Sequence, residues 1–118
     1  MVGLADEHAQ ISKELLAKAQ EALAQSDLLQ ASEKGWGATA HLVKGLAERR
    51  GWAHGRHREL YQVVDRLAQE TGDPDIRTLF DVANALHSNF YENWMSQAFV
   101  ENGLGRVREF LQKLEQLS

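Results

Sequence analysis

The feature that most constrains this chain is the spacing of its apolar residues, which recur every three or four positions in five separate segments. An α-helix completes a turn in 3.6 residues, so this spacing gives each segment one apolar and one polar face. A single proline interrupts the 118 residues, and the abundant alanine, leucine and glutamate favour helix. The pattern predicts an all-α chain in which five helices bury their apolar faces against one another.

Capping signals divide the chain into helices. Asp27, followed three residues later by Gln30, resembles a capping box, and a glycine follows the Arg49-Arg50 pair. Asp73 and Pro74 suit the N-cap and the first helical position. The expected helices are helix 1 at about residues 6–25, helix 2 from 28 to 50, helix 3 from the Arg56–Arg58 region to Gly72, helix 4 from Pro74 to a break near Met95, and helix 5 carrying residues 100–114.

The short connections between these segments predict a single domain over residues 1–118, an up-and-down bundle of four to five antiparallel helices. We expect Ile11 on the packed face of helix 1, and Phe90 and Trp94 on that of helix 4. Asn102-Gly103 is expected to delay the start of helix 5. Helix 2 also carries small residues that let another helix approach closely, within the bundle or in a dimer, namely Gly35, Gly37, Ala38, Ala40 and Gly45.

Composition excludes several classes of function. The chain has no cysteine, which rules out disulfides, thiolate metal sites and cysteine nucleophiles. Its net charge of -4 argues against a protein that coats nucleic acid, since that binding needs many lysines and arginines. No run approaches the ~18 apolar residues that would span a bilayer. We therefore expect a cytoplasmic protein that does not enter the membrane, and nothing in the sequence calls for a cofactor.

Positive charge is concentrated in one stretch, Arg49–Arg58, which we call the basic segment. It holds four of the chain's 13 lysines and arginines, two of its five histidines and no acid. Cations at the start of a helix oppose its dipole, and arginines beside free backbone N–H groups suit an anion such as phosphate. The predicted anion or nucleotide site therefore comprises Arg49, Arg50, His54, Arg56, His57 and Arg58. The alternative is a solvated loop whose charges pair with acids such as Glu48, Glu59 or Asp73.

A second candidate surface is His87–Trp94, which we call the aromatic segment. Helical spacing puts His87, Tyr91 and Trp94 on one face. Asn89 and Glu92 lie beside it, so rings for stacking adjoin groups that can hydrogen-bond a nucleobase. The alternative is that these aromatic residues belong to the core and that His87 is a buried histidine with its hydrogen bonds satisfied.

Other chemistry has weaker support. His54 and His57 are three residues apart, but no carboxylate stands at a familiar ligand spacing, so we predict no metal site. No nucleophile elbow marks a serine hydrolase.

Three segments carry a family resemblance in the right order along the chain. They are Asp27–Ala38, with the run Glu33-Lys34-Gly35-Trp36-Gly37; Arg50-Gly51-Trp52 with His54 and His57-Arg58-Glu59-Leu60; and Ala85–Trp94, with His87-Ser88-Asn89-Phe90-Tyr91. In these residues the chain resembles the archaeal paralogous PaREP family, which looks like a branch of the HEPN helical bundles.

The resemblance implies a helical and often dimeric domain. HEPN-like domains are linked to nucleotide binding, to partnership with a nucleotidyltransferase, or to metal-independent RNA cleavage by an arginine and a histidine separated by four to six residues. Arg49 with His54 and Arg50 with His57 fit that spacing, although in cleaving members the motif stands on a later helix.

Three hypotheses about function remain open. The first is a dimeric accessory module that binds a nucleotide or RNA through the basic segment. The second is a purely structural or interaction protein that uses a dimer face around Gly35 and Ala38. The third is a metal-independent ribonuclease in which His54 or His57 acts as general base and Arg49 or Arg50 stabilises the charge on the phosphate.

Overall fold

The computed structural model describes residues 3–117 and forms a bundle of α-helices. The helices are α1 (Leu4–Ala24), α2 (Leu28–Arg50), α3 (His57–Thr71), α4 (Asp75–Glu92) and α5 (Gln97–Glu115). No strand occurs within these residues, so the all-α prediction is confirmed. No helix within residues 3–117 has both the length and the apolar character needed to cross a lipid bilayer.

The predicted capping residues fix the helix ends. Asp27 Oδ1 accepts the backbone N–H of Gln30 at 3.2 Å, which is half of the expected capping box. The other half is missing, because the Gln30 side chain accepts a hydrogen bond from Lys34 instead of from the Asp27 backbone. Asp73 Oδ1 accepts the N–H of Asp75 at 3.0 Å, and Pro74, which has helical angles, is the N-cap, so α4 begins one residue later than predicted. Local chemistry therefore positions the ends of the helices.

Both α2 and α3 end at a glycine in the left-handed conformation. Gly51 and Gly72 each have φ of 69°, a value that costs other residues energy because of their Cβ atom. The predicted stops at these two glycines are confirmed.

Helix α2 is the centre of the bundle and contacts the other four helices. Its glycines allow that approach. A Cβ on Gly35 would stand 2.5 Å from Leu104 Cδ2 of α5, and one on Gly45 would stand 3.1 Å from the carbonyl oxygen of Ala5 in α1. Ala38 is fully buried. These small residues are covered within the chain, so the expectation that Gly35 and Ala38 form a dimer face is wrong.

Successive helices are antiparallel except where α2 leads into α3. Ser12 of α1 donates to the Ala38 carbonyl, and Gly45 lies beside Ala5, so α1 runs opposite to α2. In contrast, His57 at the start of α3 packs on Trp36 in the first half of α2.

The end of α3 lies near the end of α2, where Glu70 is 3.7 Å from Arg50. Residues 51–56 therefore run back along α2 before α3 begins, and α2 and α3 run in the same direction.

Three local expectations are wrong. Ile11 is 38% exposed, because α1 packs through the neighbouring Ser12, which is buried and hydrogen-bonded to α2. Trp94 is also exposed, because α4 ends at Glu92 and Asn93 turns the chain with a φ of 52°. Gly103 does not delay α5, which begins at Gln97. It is buried against Leu86, where a Cβ would stand 2.8 Å from Leu86 Cδ2.

We expect Gly103→Ala to lower the free energy of unfolding by about 1–3 kcal/mol, because the methyl group has no room beside the fully buried Leu86. Gly105→Ala on the same helix is the matched control. Its Cβ would meet only the end of the Arg108 side chain at 3.8 Å, so improved helix propensity should raise stability by about 0.5–1 kcal/mol. Urea unfolding followed by circular dichroism measures both changes, and a fall of equal size in both variants would contradict the packing argument.

Candidate functional site

The two arginines at the end of α2 have acidic partners within the chain. Arg49 Nη2 lies 2.7 Å from Asp6 Oδ1 of α1. Arg50 is 3.7 Å from Glu70 of α3, and its guanidinium carbon lies 5.4 Å from the centre of the Trp52 ring. Of the predicted anion-binding residues, these two are therefore held at the end of the bundle where α2 and α3 terminate.

His54 joins a histidine trio with His8 of α1 and His41 of α2. Its Nδ1 lies 2.8 Å from the carbonyl oxygen of Trp52, to which it can donate, and its Nε2 lies 3.2 Å from the Glu48 carboxylate. Its ring centre is 6.3 Å from that of His8, whose Nδ1 is 2.9 Å from Nδ1 of His41. His54 is thus engaged on the α1 side of α2 and does not share partners with His57.

His57 belongs to a different group, the ring cluster, which also contains Trp36 and His87. The centre of the His57 ring lies 5.2 Å from that of Trp36 and 5.8 Å from that of His87. His87 in turn stacks on Trp36 at 5.0 Å. The basic segment and the aromatic segment, which lie 29 or more residues apart in sequence, meet here at one surface.

A carboxylate fixes the orientation of His87. Its Nδ1 lies 3.2 Å from Oε2 of Glu33, which stands one turn before Trp36 on α2. A carboxylate at one ring nitrogen favours a proton there, so in the neutral imidazole the other nitrogen, Nε2, is left as an acceptor. The ring of Tyr91 meets His87 edge-on at 5.3 Å. The cluster therefore presents an oriented imidazole beside aromatic surfaces.

Two arginines next to this cluster have no acidic partner. Arg56 and Arg58 are exposed on either side of His57, and neither forms an ion pair with any residue in the described part of the chain. The Glu59 carboxylate accepts the backbone N–H of Arg56 at 2.9 Å. The N–H groups of His57 and Arg58 have no acceptor among residues 3–117. The first turn of α3 therefore combines unpaired cations with two open backbone donors.

The aromatic segment is divided between core and surface. Asn89 is 1% exposed, donates to Ser32 Oγ, and accepts the backbone N–H groups of Trp94 and Met95. Its amide holds the corner between α4 and α5, so the expectation that it hydrogen-bonds a nucleobase is wrong. Tyr91 and Trp94 are 72% and 53% exposed, and Glu92 is exposed beside them. These three side chains remain open to a ligand.

Sequence reasoning missed the parts of the site that α2 supplies. Glu33 and Trp36 stand three residues apart, a spacing that puts them on one face of the helix. This spacing and the family resemblance of the run from Glu33 to Gly37 were the available signals, and neither identifies His57 or His87 as their partners. Within residues 3–117, no three histidine or acidic side chains come together in a way that would hold a metal ion.

One arginine–histidine pair considered for RNA cleavage, Arg50 with His57, has separate partners. Arg50 contacts Trp52, Glu70 and the carbonyl oxygen of Leu117, whereas His57 contacts Trp36 and His87. The described contacts do not bring these two side chains to a common phosphate position.

Comparison with known proteins supports the resemblance seen in the sequence. A family model described as the Archaeal PaREP1/PaREP8 family matches residues 7–111. No curated protein matches the chain, and no solved structure matches it.

We expect His8 and His41 to make stability depend on pH. Burial lowers the pKa of His8 below its ordinary value of 6.5, with His54 and Lys44 adding to the effect, although Glu48 and Glu7 oppose it. Burial, His8 and Lys44 lower the pKa of His41. As the pH falls, the unfolded chain therefore binds more protons than the folded chain. The free energy of unfolding should have its full value above pH 6.5 and should decrease as the pH drops below 6.5.

Urea unfolding between pH 8 and pH 5 measures this dependence. The fall should be smaller in a His8→Gln/His41→Gln variant, which cannot take up these two protons. An unchanged dependence in that variant would show that other groups cause it.

Proposed function

The chain belongs to the Archaeal PaREP1/PaREP8 family, and from the geometry of its α3 end we propose that it binds the phosphate of a nucleotide or of an RNA segment there. The observation that carries the proposal is the contact between His57 and His87, whose ring centres are 5.8 Å apart. This contact brings the start of α3, where the unpaired Arg56 and Arg58 flank His57, against the helix that carries Tyr91.

The phosphate-binding groups are Arg56, Arg58 and the first turn of α3. Guanidinium groups bind phosphate through paired N–H donors, and the open N–H groups of His57 and Arg58 stand where the helix dipole favours an anion. Glu59 already occupies the Arg56 N–H, so the anion is expected on the His57–Arg58 side. Arg49, Arg50 and His54 are assigned a structural role, because each is engaged within the chain.

The exposed rings supply the second half of the proposed interaction. Tyr91 contacts His87 edge-on at 5.3 Å, and Trp94 follows at the corner that Asn89 holds. Bases of single-stranded RNA stack on such rings without sequence preference, and each stacked base contributes about 1–3 kcal/mol. Catalysis is not part of the proposal, because both arginines considered for it are engaged within the chain, Arg49 with Asp6 and Arg50 with Glu70.

We expect Arg56→Ala/Arg58→Ala to weaken binding of a short single-stranded RNA by about tenfold or more at low salt. The salt dependence should become shallower as well, because two phosphate contacts are lost. Arg49→Ala/Arg50→Ala is the matched control, since it removes the same charge from arginines that already have acidic partners. Fluorescence anisotropy of labelled RNA measures both variants. Equal losses would mean that net charge alone governs the binding and would overturn the proposed site.

A second candidate function is a dimeric or partner-binding role, supported by exposed apolar side chains that overlap the proposed base-stacking surface. Tyr91, Trp94 and Phe99 are all more than half exposed around the α4–α5 corner, and contiguous apolar side chains of this size commonly mark an interface. The dimer suggested by the sequence would then use this corner instead of Gly35 and Ala38. A nucleotidyltransferase partner, which the resemblance implies, remains a prediction for the same surface.

Light scattering at increasing protein concentration tests the dimer. The wild type should approach twice the monomer mass, and Trp94→Ser/Phe99→Ser should remain monomeric. Leu4→Ser/Ile11→Ser, which changes exposed apolar residues on α1, should behave as the wild type. A wild type that stays monomeric throughout would remove the dimeric role.

A further inference from the structure

A cleft between α3 and α4 opens beside the proposed phosphate site. Its volume is about 440 Å³, which falls within the usual range for sites that bind small molecules. Val64 and the buried Phe80 form its floor, and the ring of Tyr61 stands at 90° to Phe80 with the centres 4.7 Å apart. The cleft therefore offers flat apolar surfaces that suit a planar ring.

One acceptor at the rim of the cleft remains unused. Asp65 is already engaged, because its Oδ1 lies 2.7 Å from Arg77 Nε. Asp81 also lines the cleft and forms neither an ion pair nor a hydrogen bond with any residue from 3 to 117. Burial raises the pKa of the Tyr61 phenol, and the negative charge of Asp81 adds to the effect. The Asp81 carboxylate is thus available to accept N–H groups from a ligand.

The cleft, with Asp81 at its rim, and the neighbouring start of α3, with Arg58, carry opposite charges. Tyr61 meets His57 at 5.6 Å, so the wall of the cleft continues into the ring cluster. Arg58 stands four residues before Gln62, and this spacing puts it one turn away on the same face of α3. A ligand that spans both parts needs an anion at one end and a planar group with N–H donors at the other.

We infer that the α3–α4 cleft binds the base of a guanine nucleotide, with Asp81 as the residue that selects it. Guanine presents two adjacent donors, N1–H and the N2 amino group, which match the two oxygens of one carboxylate. Adenine and cytosine present an amino group beside an acceptor, and uracil presents one N–H between two carbonyls. The position of the nucleotide phosphate rests on the proposed function, whereas the preference for guanine is argued from the residues of the cleft alone.

Calorimetric titration of the full chain with GMP, AMP and guanosine tests the inference. GMP should bind at least about tenfold more tightly than AMP, because hydrogen bonds to a charged acceptor are lost with adenine. Asp81→Asn should bring the ratio of the two dissociation constants close to one. Glu21→Gln, which makes the same charge change on the exposed surface of α1, should leave the ratio unchanged. Circular dichroism confirms that the variants fold.

Binding of a uridine oligonucleotide separates this inference from the proposed phosphate site. If the oligonucleotide binds but GMP and AMP bind equally, guanine selection is wrong and the phosphate site stands. If guanosine and GMP bind preferentially through Asp81 but the oligonucleotide does not bind, the cleft stands and the phosphate site is wrong. Failure of all these ligands to bind overturns both.

Discussion

The close approach of the other helices to α2 is the constraint on which the rest of the structure depends. Gly35 lets Leu86 of α4 and Leu104 of α5 lie directly against the α2 backbone, and Gly45 does the same for α1. A larger side chain at Gly35 would clash first with Leu104 of α5 and would also press on Leu86 of α4, the helix that carries His87. The contacts that His87 makes with Glu33 and Trp36 therefore depend on a residue that takes no part in the site itself.

The path of residues 51–56 decides where the residues of the basic segment lie. By running back along α2, it separates the basic segment into two groups. Arg49 and Arg50 remain where α2 ends, while His57 reaches Trp36 and His87 near the other end of α3. A tight antiparallel turn would have kept all these cations together, as the sequence suggested. Instead, Arg56 and Arg58, which form no ion pair within residues 3–117, flank the His57 that joins the ring cluster.

The features predicted correctly from sequence are those that a few neighbouring residues determine. The caps at Asp27 and Asp73 and the left-handed glycine at Gly51 are of this kind. Periodicity identified the apolar faces but not their edges, so Ile11 and Trp94 were wrongly assigned to the core.

The site itself depends on contacts between residues far apart in sequence. His57 and His87 were both candidates, but nothing in either segment indicates that they meet across Trp36. Asn89 was assigned to the surface for the same reason. Its partners, Ser32 and the backbone of the α4–α5 corner, become apparent only once α4 lies against α2.

Each of the three tryptophans occupies a different environment. Trp36 touches two imidazoles, Trp52 lies 4.0 Å from the guanidinium carbon of Arg66, and Trp94 faces solvent. An excited indole transfers an electron readily to a protonated imidazole in contact with it and then loses its emission. The fluorescence of Trp36 therefore depends on its contacts with His57 and His87, and a ligand that displaces either imidazole is expected to change it.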